Sequence, residues 1–381
     1  MTNKLKQYFP LIKERSEVLQ EINNRADLLS VFENWSEEYQ EEFLDFCTGV
    51  KGVKILYDSF FKEILNPETC PNRMNRFLSA LLGQEVTILK VLPNDTIRIA
   101  DEASLLITDI VVEMEDGCIA NVEAQKIGYA FPGQRCACYS ADLLLRQYKR
   151  IRAERKDQRK RFNYKDIKKV YTIVLFEKSS REFHSYPDNY IHHMKQKSNT
   201  GLELDMLQEF ILLPLDIYLK NLHNKGISNE LDAWLAFFST DEPEYIAYLC
   251  EHYPLFREMY EDVYELCQNT EQVINMFSKE LMEFDQGTVQ YMIDEMQDTI
   301  DAQEARLHES QNTINAQEAR LHESQNTINA QEARLNERQN MIAEQEARLH
   351  ESQNTIDELK DTVAELTAEI KQLKKLLLQN S

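Results

Sequence analysis

The chain has 381 residues, of which 43% are hydrophobic, and it carries a formal net charge of −22 at pH 7. The hydrophobic fraction is sufficient for a buried core and excludes a wholly disordered protein, while the acidic balance argues against unspecific coating of nucleic acid. Seven cysteines without paired zinc-type spacing predict free thiols in a reducing cytoplasm. Because no run of about 18 apolar residues occurs and no apolar segment follows the first residues, we predict neither a membrane span nor a signal peptide.

The N-terminal part of the chain is predicted to be helical. Residues 1–50 carry apolar side chains near helical spacing, and Ser36 followed by two glutamates is a typical helix start. We interpret this segment as a helical accessory region. Residues 53–83 predict two more helices separated by Asn66-Pro67, and the second of them ends at Gly83.

Three strands are predicted next, because residues 86–92, 105–114 and 119–125 are rich in β-branched side chains. They would form an antiparallel sheet, with a hairpin at Glu115-Asp116-Gly117. A three-residue loop and a two-residue Asp116-Gly117 loop are both compatible with this pattern. The two loops differ by one residue in strand pairing, and a shift of one residue moves every side chain to the other face.

The three-residue loop is the hypothesis on which the site prediction depends. If Gly117 takes the left-handed position, Met114 faces Cys118, and counting back places Asp109 opposite Glu123. Two carboxylates side by side in an apolar hairpin repel each other. A hard divalent cation would relieve that repulsion, and oxygen ligands suit Mg²⁺ or Mn²⁺. The alternative is a structural hairpin whose acids face solvent.

An aspartate on one strand followed by Glu-x-Gln on the next, here Asp109 and Glu123-Ala124-Gln125, resembles the PD-(D/E)xK nuclease superfamily. The likeness is strongest to its transposase-associated branch, the recombination-promoting nucleases, in which glutamine commonly takes the place of the lysine. It covers roughly residues 53–220. Three further segments resemble an opening helix, a helix after the motif and a closing segment of that branch, at residues 57–62, 135–139 and 202–219.

The resemblance implies an α/β (α+β) protein with a restriction-endonuclease-like αβββαβ core and a Mg²⁺- or Mn²⁺-dependent hydrolase that cuts DNA phosphodiester bonds. Asp109 and Glu123 are the implied metal ligands, and Gln125 is the third implied catalytic residue. A neutral amide can position water but supplies no positive charge, so catalysis would depend more on the metal. Additional ligand candidates are Asp58, Glu63 and Glu68; the alternative for Glu63 and Glu68 is an exposed helix acid, and the alternative for Asp58 is a local cap or salt bridge.

A basic segment follows the predicted helix at residues 134–155. Between residues 146 and 169, twelve basic residues stand against three acidic ones, which is typical of a surface that binds an anion. We predict DNA binding with little sequence specificity; the alternatives are a solvated helix end and, for Arg135, a cap on a carboxylate. The predicted DNA-binding residues are Arg135, Tyr139, Arg146, Lys149, Arg150, Arg152, Arg155, Lys156, Arg159, Lys160 and Arg161.

The remainder of the core is predicted downstream. Val170–Phe176 is predicted to be a buried strand, and residues 177–199 are predicted to be irregular. Residues 202–219 are predicted to complete the core. The predicted domains are a helical accessory region at 1–50, a nuclease-like core at 51–225, a helical bundle at 226–285 and a coiled coil at 286–381.

The C-terminal region contains four copies of a 14-residue unit at residues 302–357, the first two identical. Ile and Leu recur every seven residues from Ile300, and the apolar spacing of three and four becomes regular after Ile356. This pattern predicts a left-handed coiled coil, which we interpret as a parallel homodimer. A long solvated helix without a partner is the alternative.

Two functional hypotheses follow from the sequence. The first is a metal-dependent DNA endonuclease associated with transposition or recombination, located in the cytoplasm in association with the nucleoid. The second is a catalytically weak nuclease fold that acts as a DNA-binding or scaffold protein and oligomerises through its coiled coil. Loss of DNA nicking in an Asp109→Ala variant would favour the first hypothesis.

Overall fold

The computed structural model describes residues 3–92, 110–126 and 132–379. The chain divides into two compact units, Met1–Gln297 and Asp298–Ser381. In the first unit, four helices precede the nuclease-like segment: α1 (Lys4–Tyr8), α2 (Arg15–Asn23), α3 (Ala26–Glu33) and α4 (Glu37–Cys47). As predicted, Ser36 caps the last of these, since its side chain accepts a hydrogen bond from the backbone N–H of Tyr39.

Two helices follow, α5 (Asp58–Ile64) and α6 (Pro71–Leu82). Pro71 occupies the first turn of α6, where no backbone donor is needed. The helix ends at Gly83, whose φ of 67° is the left-handed conformation that a glycine cap adopts without steric cost. The predicted pair of helices and its boundary at Gly83 are therefore confirmed.

Within the described residues, a six-stranded mixed sheet forms the centre of the first unit, with strand order β1-β2-β3-β4-β6-β5. The first three strands, β1 (Ile88–Val91), β2 (Ile110–Met114) and β3 (Ile119–Gln125), are antiparallel, as predicted. Helix α7 (Pro132–Asp157) then connects β3 to β4 (Val170–Phe176), which lies parallel to β3. A parallel pair needs such a crossover, and the predicted αβββαβ core is thereby confirmed.

The other two strands lie beyond β4. Strand β6 (Gln208–Pro214) is parallel to β4 and falls within the segment predicted to complete the core. Strand β5 (His192–Met194) pairs antiparallel with β6 at the edge of the sheet. The prediction that residues 177–199 are irregular was wrong at this strand, because three edge residues without an alternating pattern are recruited by the neighbouring strand.

The hairpin between β2 and β3 has the predicted register. Ile110 pairs with Val122, and the N–H of Met114 donates to the carbonyl oxygen of Cys118 at 2.8 Å. The N–H of Gly117 donates to Met114 O at 2.9 Å, which closes a three-residue loop. Gly117 has φ of 84°, where a side chain would be strained, and an added Cβ would lie 3.1 Å from Lys168 Cγ. The two-residue loop is therefore excluded.

The two faces of the sheet meet different partners. Ala120 and Val122 of β3 belong to a large buried cluster that runs from Leu5 in α1 to Phe277, so the N-terminal helices pack against the same core as the sheet. Residues of the alternate parity face α7: Ile119 packs with Leu143 of that helix. Side chains at positions 121, 123 and 125 therefore point towards α7, since strand residues alternate.

Helices also follow the sheet: α8 (Leu215–Lys225), α9 (Glu230–Ser239), α10 (Pro243–His252), α11 (Pro254–Leu266) and α12 (Thr270–Gln379). Trp234 and Phe256, from α9 and α11, lie in the large cluster with the sheet. The finer division of Met1–Gln297 into three domains, at residues 50 and 225, stays a prediction. Within the described residues, no helix has both the length and the apolar character to cross a membrane.

The second unit consists of the C-terminal part of α12, and the predicted helical character of the repeats is confirmed. In this single chain, the seam residues are exposed; Leu307, Leu321 and Leu349 expose 72%, 72% and 73% of their surface. The apolar side chains of this seam bury no surface in a single helix, so they do not stabilise the helix without a partner. The coiled-coil partner stays a prediction.

Candidate active site

Glu123 and Gln125 lie on β3, in the interior of the sheet between β2 and β4. Both side chains are buried, each with 5% of its surface exposed. Gln125 Nε2 donates a hydrogen bond to Glu123 Oε1 at 2.9 Å. A strand places every second residue on one face, so the Glu-x-Gln spacing brings the carboxylate and the amide together as predicted.

Helix α7 covers this pair with Arg135 and Tyr139. Arg135 Nη2 donates to the Tyr139 hydroxyl oxygen at 3.0 Å, which confirms that these residues share one helix face. The Tyr139 hydroxyl in turn hydrogen-bonds to Glu123, and burial together with the negative charge of Glu123 raises the pKa of Tyr139 well above its usual value. Tyr139 therefore stays protonated at neutral pH and can donate to the carboxylate.

The charge of Glu123 also reaches the thiol of Cys136. Burial and, second, the nearby carboxylate raise the pKa of Cys136 to about 12, while Arg135 lowers it. A thiol with this pKa stays neutral, so Cys136 is not an activated nucleophile. Among the described residues, the neighbours of the Glu123 carboxylate are therefore neutral hydrogen-bonding groups and a partly buried guanidinium.

Asp109, the predicted partner of Glu123, lies outside the described residues. The nearest described pair of the hairpin is Ile110 with Val122, in the register from which the pairing of Asp109 was counted. Across the three described ranges, no three or more His, Cys, Asp or Glu side chains come close enough to hold a metal ion.

The donor atoms that are described nevertheless fit a hard cation in type. Glu123 offers a buried carboxylate, and Gln125 Oε1 is a buried amide oxygen with no hydrogen-bond partner among the described atoms. A buried amide oxygen left without a partner costs free energy, which an ion or an ordered water would offset. Carboxylate and amide oxygens are the ligands that Mg²⁺ and Mn²⁺ prefer.

A family model described as PD-(D/E)XK nuclease family transposase matches residues 55–295, which is more than half of the chain. The chain belongs to this family. No curated protein and no solved structure matches it. Membership in the PD-(D/E)XK nuclease family transposases gives the chain a nuclease- or transposase-related function, and the superfamily implies a hydrolase that acts on DNA.

Two polar residues beside the Glu-x-Gln motif of this PD-(D/E)XK chain were missed by the sequence analysis. Asn121 and Thr172 are both fully buried, and they are register neighbours on β3 and β4. Within the described structure, neither the amide of Asn121 nor the hydroxyl of Thr172 has a hydrogen-bond partner. Asn121 lies two residues before Glu123 on the same strand, and that alternation was the signal that could have identified it.

Asp58 is held by charges at a different place. Its side chain pairs with Lys62 at 2.5 Å and with Lys279 at 3.3 Å. Burial would raise its pKa, but the contacts with these lysines hold the pKa of Asp58 below its usual value. Its backbone N–H donates to Glu280, which also pairs with Lys126. Because Lys126 and Gln125 are adjacent on the chain, these contacts connect Asp58 to the residue after the motif rather than to Glu123.

The other two ligand candidates on the early helical segment are exposed. Glu63 lies near the end of α5, and Glu68 lies in the turn before α6. No described contact joins either side chain to Glu123 or Gln125. A role of Asp58, Glu63 or Glu68 in a metal site stays a prediction.

The predicted DNA-binding residues other than Arg135, which donates to Tyr139, separate into two groups in this PD-(D/E)XK chain. Arg146, Arg150 and Arg155 are partly buried and pair with Asp142, Glu113 and Asp166 at 2.7, 2.7 and 2.6 Å. Tyr139 is only 3% exposed, so its ring cannot reach a phosphate backbone here. The exposed group consists of Lys149, Arg152, Lys156, Arg159, Lys160 and Arg161.

Proposed function

We propose that this PD-(D/E)XK protein is a metal-dependent DNA endonuclease that hydrolyses phosphodiester bonds and acts in transposition or recombination. The observation that carries the proposal is the buried Glu123–Gln125 pair, which α7 covers with the hydroxyl of Tyr139. Burial of a carboxylate costs free energy unless hydrogen bonds or a cation compensate for it. If Glu123 is a ligand of a cation, that function explains why a buried carboxylate is retained in a central strand.

The residues of the proposed site have separate roles in the reaction. Asp109 and Glu123 would hold Mg²⁺ or Mn²⁺, which, when bound, supplies a more acidic water and stabilises charge on the phosphate. Tyr139 donates to Glu123 and fixes the orientation of its carboxylate. Gln125 donates to Glu123 through Nε2, so Oε1 is left to accept a hydrogen bond from the attacking water.

The exposed cations at the end of α7 would bind the DNA backbone. Long basic side chains neutralise phosphates without reading base edges, so binding would show little sequence specificity and would weaken steeply with salt. The coiled coil would pair two subunits and so place two sites on one DNA molecule. DNA binding by these cations and pairing through the coiled coil are both parts of the proposal, as is the location of the protein at the nucleoid.

Incubation of supercoiled plasmid with purified protein and Mg²⁺ or Mn²⁺ tests the proposal. We expect the wild-type protein to convert plasmid to the nicked form, and Asp109→Asn and Glu123→Gln to lose this activity, because an amide supplies no ligand charge. Glu115→Gln is the matched control, since Glu115 is an exposed acid in the loop of the same hairpin. Equal nicking by wild type and Glu123→Gln would contradict the proposed site.

One observation favours a second candidate function, a DNA-binding or scaffold protein with weak catalysis. Gln125 stands where the superfamily pattern has lysine, so the described site lacks that positive charge on β3. A scaffold would bind DNA and self-associate while neither metal produced nicked plasmid. Binding of DNA without any nicking by the wild-type protein would therefore support this second function over the first.

A further inference from the structure

Three aromatic rings form a cluster at the C-terminal end of α7. Tyr148 and Phe162 lie with ring centroids 5.3 Å apart, and Phe162 and Tyr164 lie 5.2 Å apart, both pairs nearly perpendicular. The rings of Tyr148 and Tyr164 are almost parallel, at an angle of 15°. Tyr164 nevertheless exposes 74% of its surface. The aromatic cluster (Tyr148, Phe162, Tyr164) therefore presents a ring to solvent that its neighbours hold in place.

Basic residues lie at the aromatic cluster and in the chain segment that carries it. Arg152 donates to the Tyr148 hydroxyl oxygen at 2.9 Å, and its guanidinium lies 5.8 Å from that ring. Residues 158–165 contain four basic residues and no acidic one, and all four are exposed. The next acid, Asp166, is already paired with Arg155. The exposed ring thus lies in a local excess of positive charge, although the chain as a whole is acidic.

The backbone at this end of α7 takes a conformation that glycine usually adopts, yet the residue there is an arginine. Arg159 has φ of 55°, a left-handed conformation that is rare for residues other than glycine. The N–H of Lys160 donates to Arg155 O at 2.8 Å, which is the hydrogen bond of a helix end that usually carries glycine at the left-handed position. An arginine in this place costs conformational free energy. Strain of this kind is concentrated at functional positions, and here the strained residue carries a positive charge three residues before Phe162 of the aromatic cluster.

We propose that the aromatic cluster stacks an unpaired base, so that the preferred substrate is DNA with a single-stranded segment next to the duplex. This inference rests on DNA as the substrate of the proposed function. Cations alone are sufficient to bind a duplex, whose bases are stacked on each other inside the helix. An exposed tyrosine ring surrounded by cations is instead the arrangement that binds single strands, because the ring stacks a base while the cations hold the adjacent phosphates.

Fluorescence anisotropy with full-length protein in EDTA tests the inference without cleavage. The probes are a labelled blunt duplex and the same duplex with a short single-stranded overhang that contains 2-aminopurine. We expect wild type to bind the overhang duplex about tenfold more tightly than the blunt one. Tyr164→Ala should remove this preference, and Tyr164→Phe should keep it. Tyr186→Ala is the matched control, since Tyr186 is a 59% exposed tyrosine outside the cluster.

Stacking also has a spectroscopic signature, because a base that stacks on a ring loses 2-aminopurine fluorescence. This quenching should occur with wild type and Tyr164→Phe and be absent with Tyr164→Ala. Arg159→Gly should weaken binding to both duplexes, while a thermal melt should show no loss of stability, since glycine relieves the left-handed strain.

Several results would overturn the inference. Equal affinity of wild type for blunt and overhang duplexes, or an equal loss for both in Tyr164→Ala, would mean that the ring binds no base. Displacement of the overhang duplex by poly-glutamate as effectively as by a single-stranded oligonucleotide of equal charge would mean that only charge is recognised. The failure of this inference is separable from failure of the proposed function, since plasmid nicking with Mg²⁺ does not require an overhang.

Discussion

At the scale of single residues, Glu123 is held by groups from two elements. Gln125 donates to it along β3, and Tyr139 approaches it from α7. A buried carboxylate with fixed hydrogen bonds keeps one orientation, and a metal ligand must meet its ion within a few tenths of an ångström. Gln125 stands where the superfamily pattern has lysine. Its loss would therefore disturb the orientation of the Glu123 carboxylate most directly.

Substitution of Gln125 tests whether this amide acts in catalysis. We expect Gln125→Ala to lower the rate of plasmid nicking by about a hundredfold, the cost of losing a group that orients reacting atoms. Gln125→Lys should retain or exceed the wild-type rate, since an ammonium can donate to Glu123 and adds positive charge. Gln147→Ala is the control, because Gln147 is a buried glutamine farther along α7. An unchanged rate in Gln125→Ala would remove Gln125 from the mechanism.

Contacts of single residues differ in whether the sequence could predict them. The Glu-x-Gln spacing predicted that Glu123 and Gln125 share a face, because strand alternation is a local property. The contacts of Asp58 with Lys279 and of Arg150 with Glu113 were not predictable, since they join residues that are far apart in the sequence. Of the three arginines in the predicted DNA-binding set that pair with acids, only Arg150 has a partner distant in the sequence, since Arg146 pairs with Asp142 four residues away and Arg155 with Asp166.

At the scale of elements, the hairpin between β2 and β3 determines where Glu123 lies. The turn residues and the flanking β-branched runs left two registers open, and the structure has the one with the three-residue loop on which the site prediction depended. Strand β5 was not predicted, because an edge strand of three residues is formed by pairing with β6 and not by its own pattern. Local signals were therefore sufficient for the centre of the sheet and insufficient for its edge.

The hairpin register depends on Gly117, which makes Gly117→Ala an informative substitution. Its φ of 84° and the distance of 3.1 Å from an added Cβ to Lys168 Cγ both disfavour a side chain. We expect the free energy of unfolding to fall by about 1–2 kcal/mol in chemical denaturation. Gly133→Ala is the control, since Gly133 lies in α7 with open space around it and should be neutral or slightly stabilising. Equal stability of Gly117→Ala and wild type would contradict the loop geometry.

At the scale of the whole molecule, charge is unevenly distributed. The net charge is −22, yet residues 146–169 carry twelve basic and three acidic residues. Long-range repulsion between DNA and the acidic remainder would leave the end of α7 as the favourable approach, and added salt would weaken both effects. The orientation of bound DNA would then follow from the whole charge distribution, while the stacked base of the proposal would fix its position.

The second unit, Asp298–Ser381, carries the predicted coiled-coil seam. Ile and Leu recur every seven residues, and these side chains are exposed in the single chain. Each leucine buried between two helices contributes about 1.5–3 kcal/mol, so several of them stabilise a dimer even where the neighbouring seam position is polar. We expect full-length protein to have the mass of a dimer in light scattering, and residues 1–297 alone to have the mass of a monomer.

A single substitution distinguishes the seam from the rest of the helix. Leu366 belongs to the seam, and Thr367, the adjacent residue, does not; both are exposed in the single chain. Leu366→Asp would bury a charge between two helices, so we expect the dimer dissociation constant to rise by about a hundredfold or more. Thr367→Asp introduces the same charge outside the seam and should leave the mass unchanged. If both variants remain dimeric, or if residues 1–297 dimerise alone, the interface lies outside the coiled coil, and pairing of two sites on DNA would require another surface.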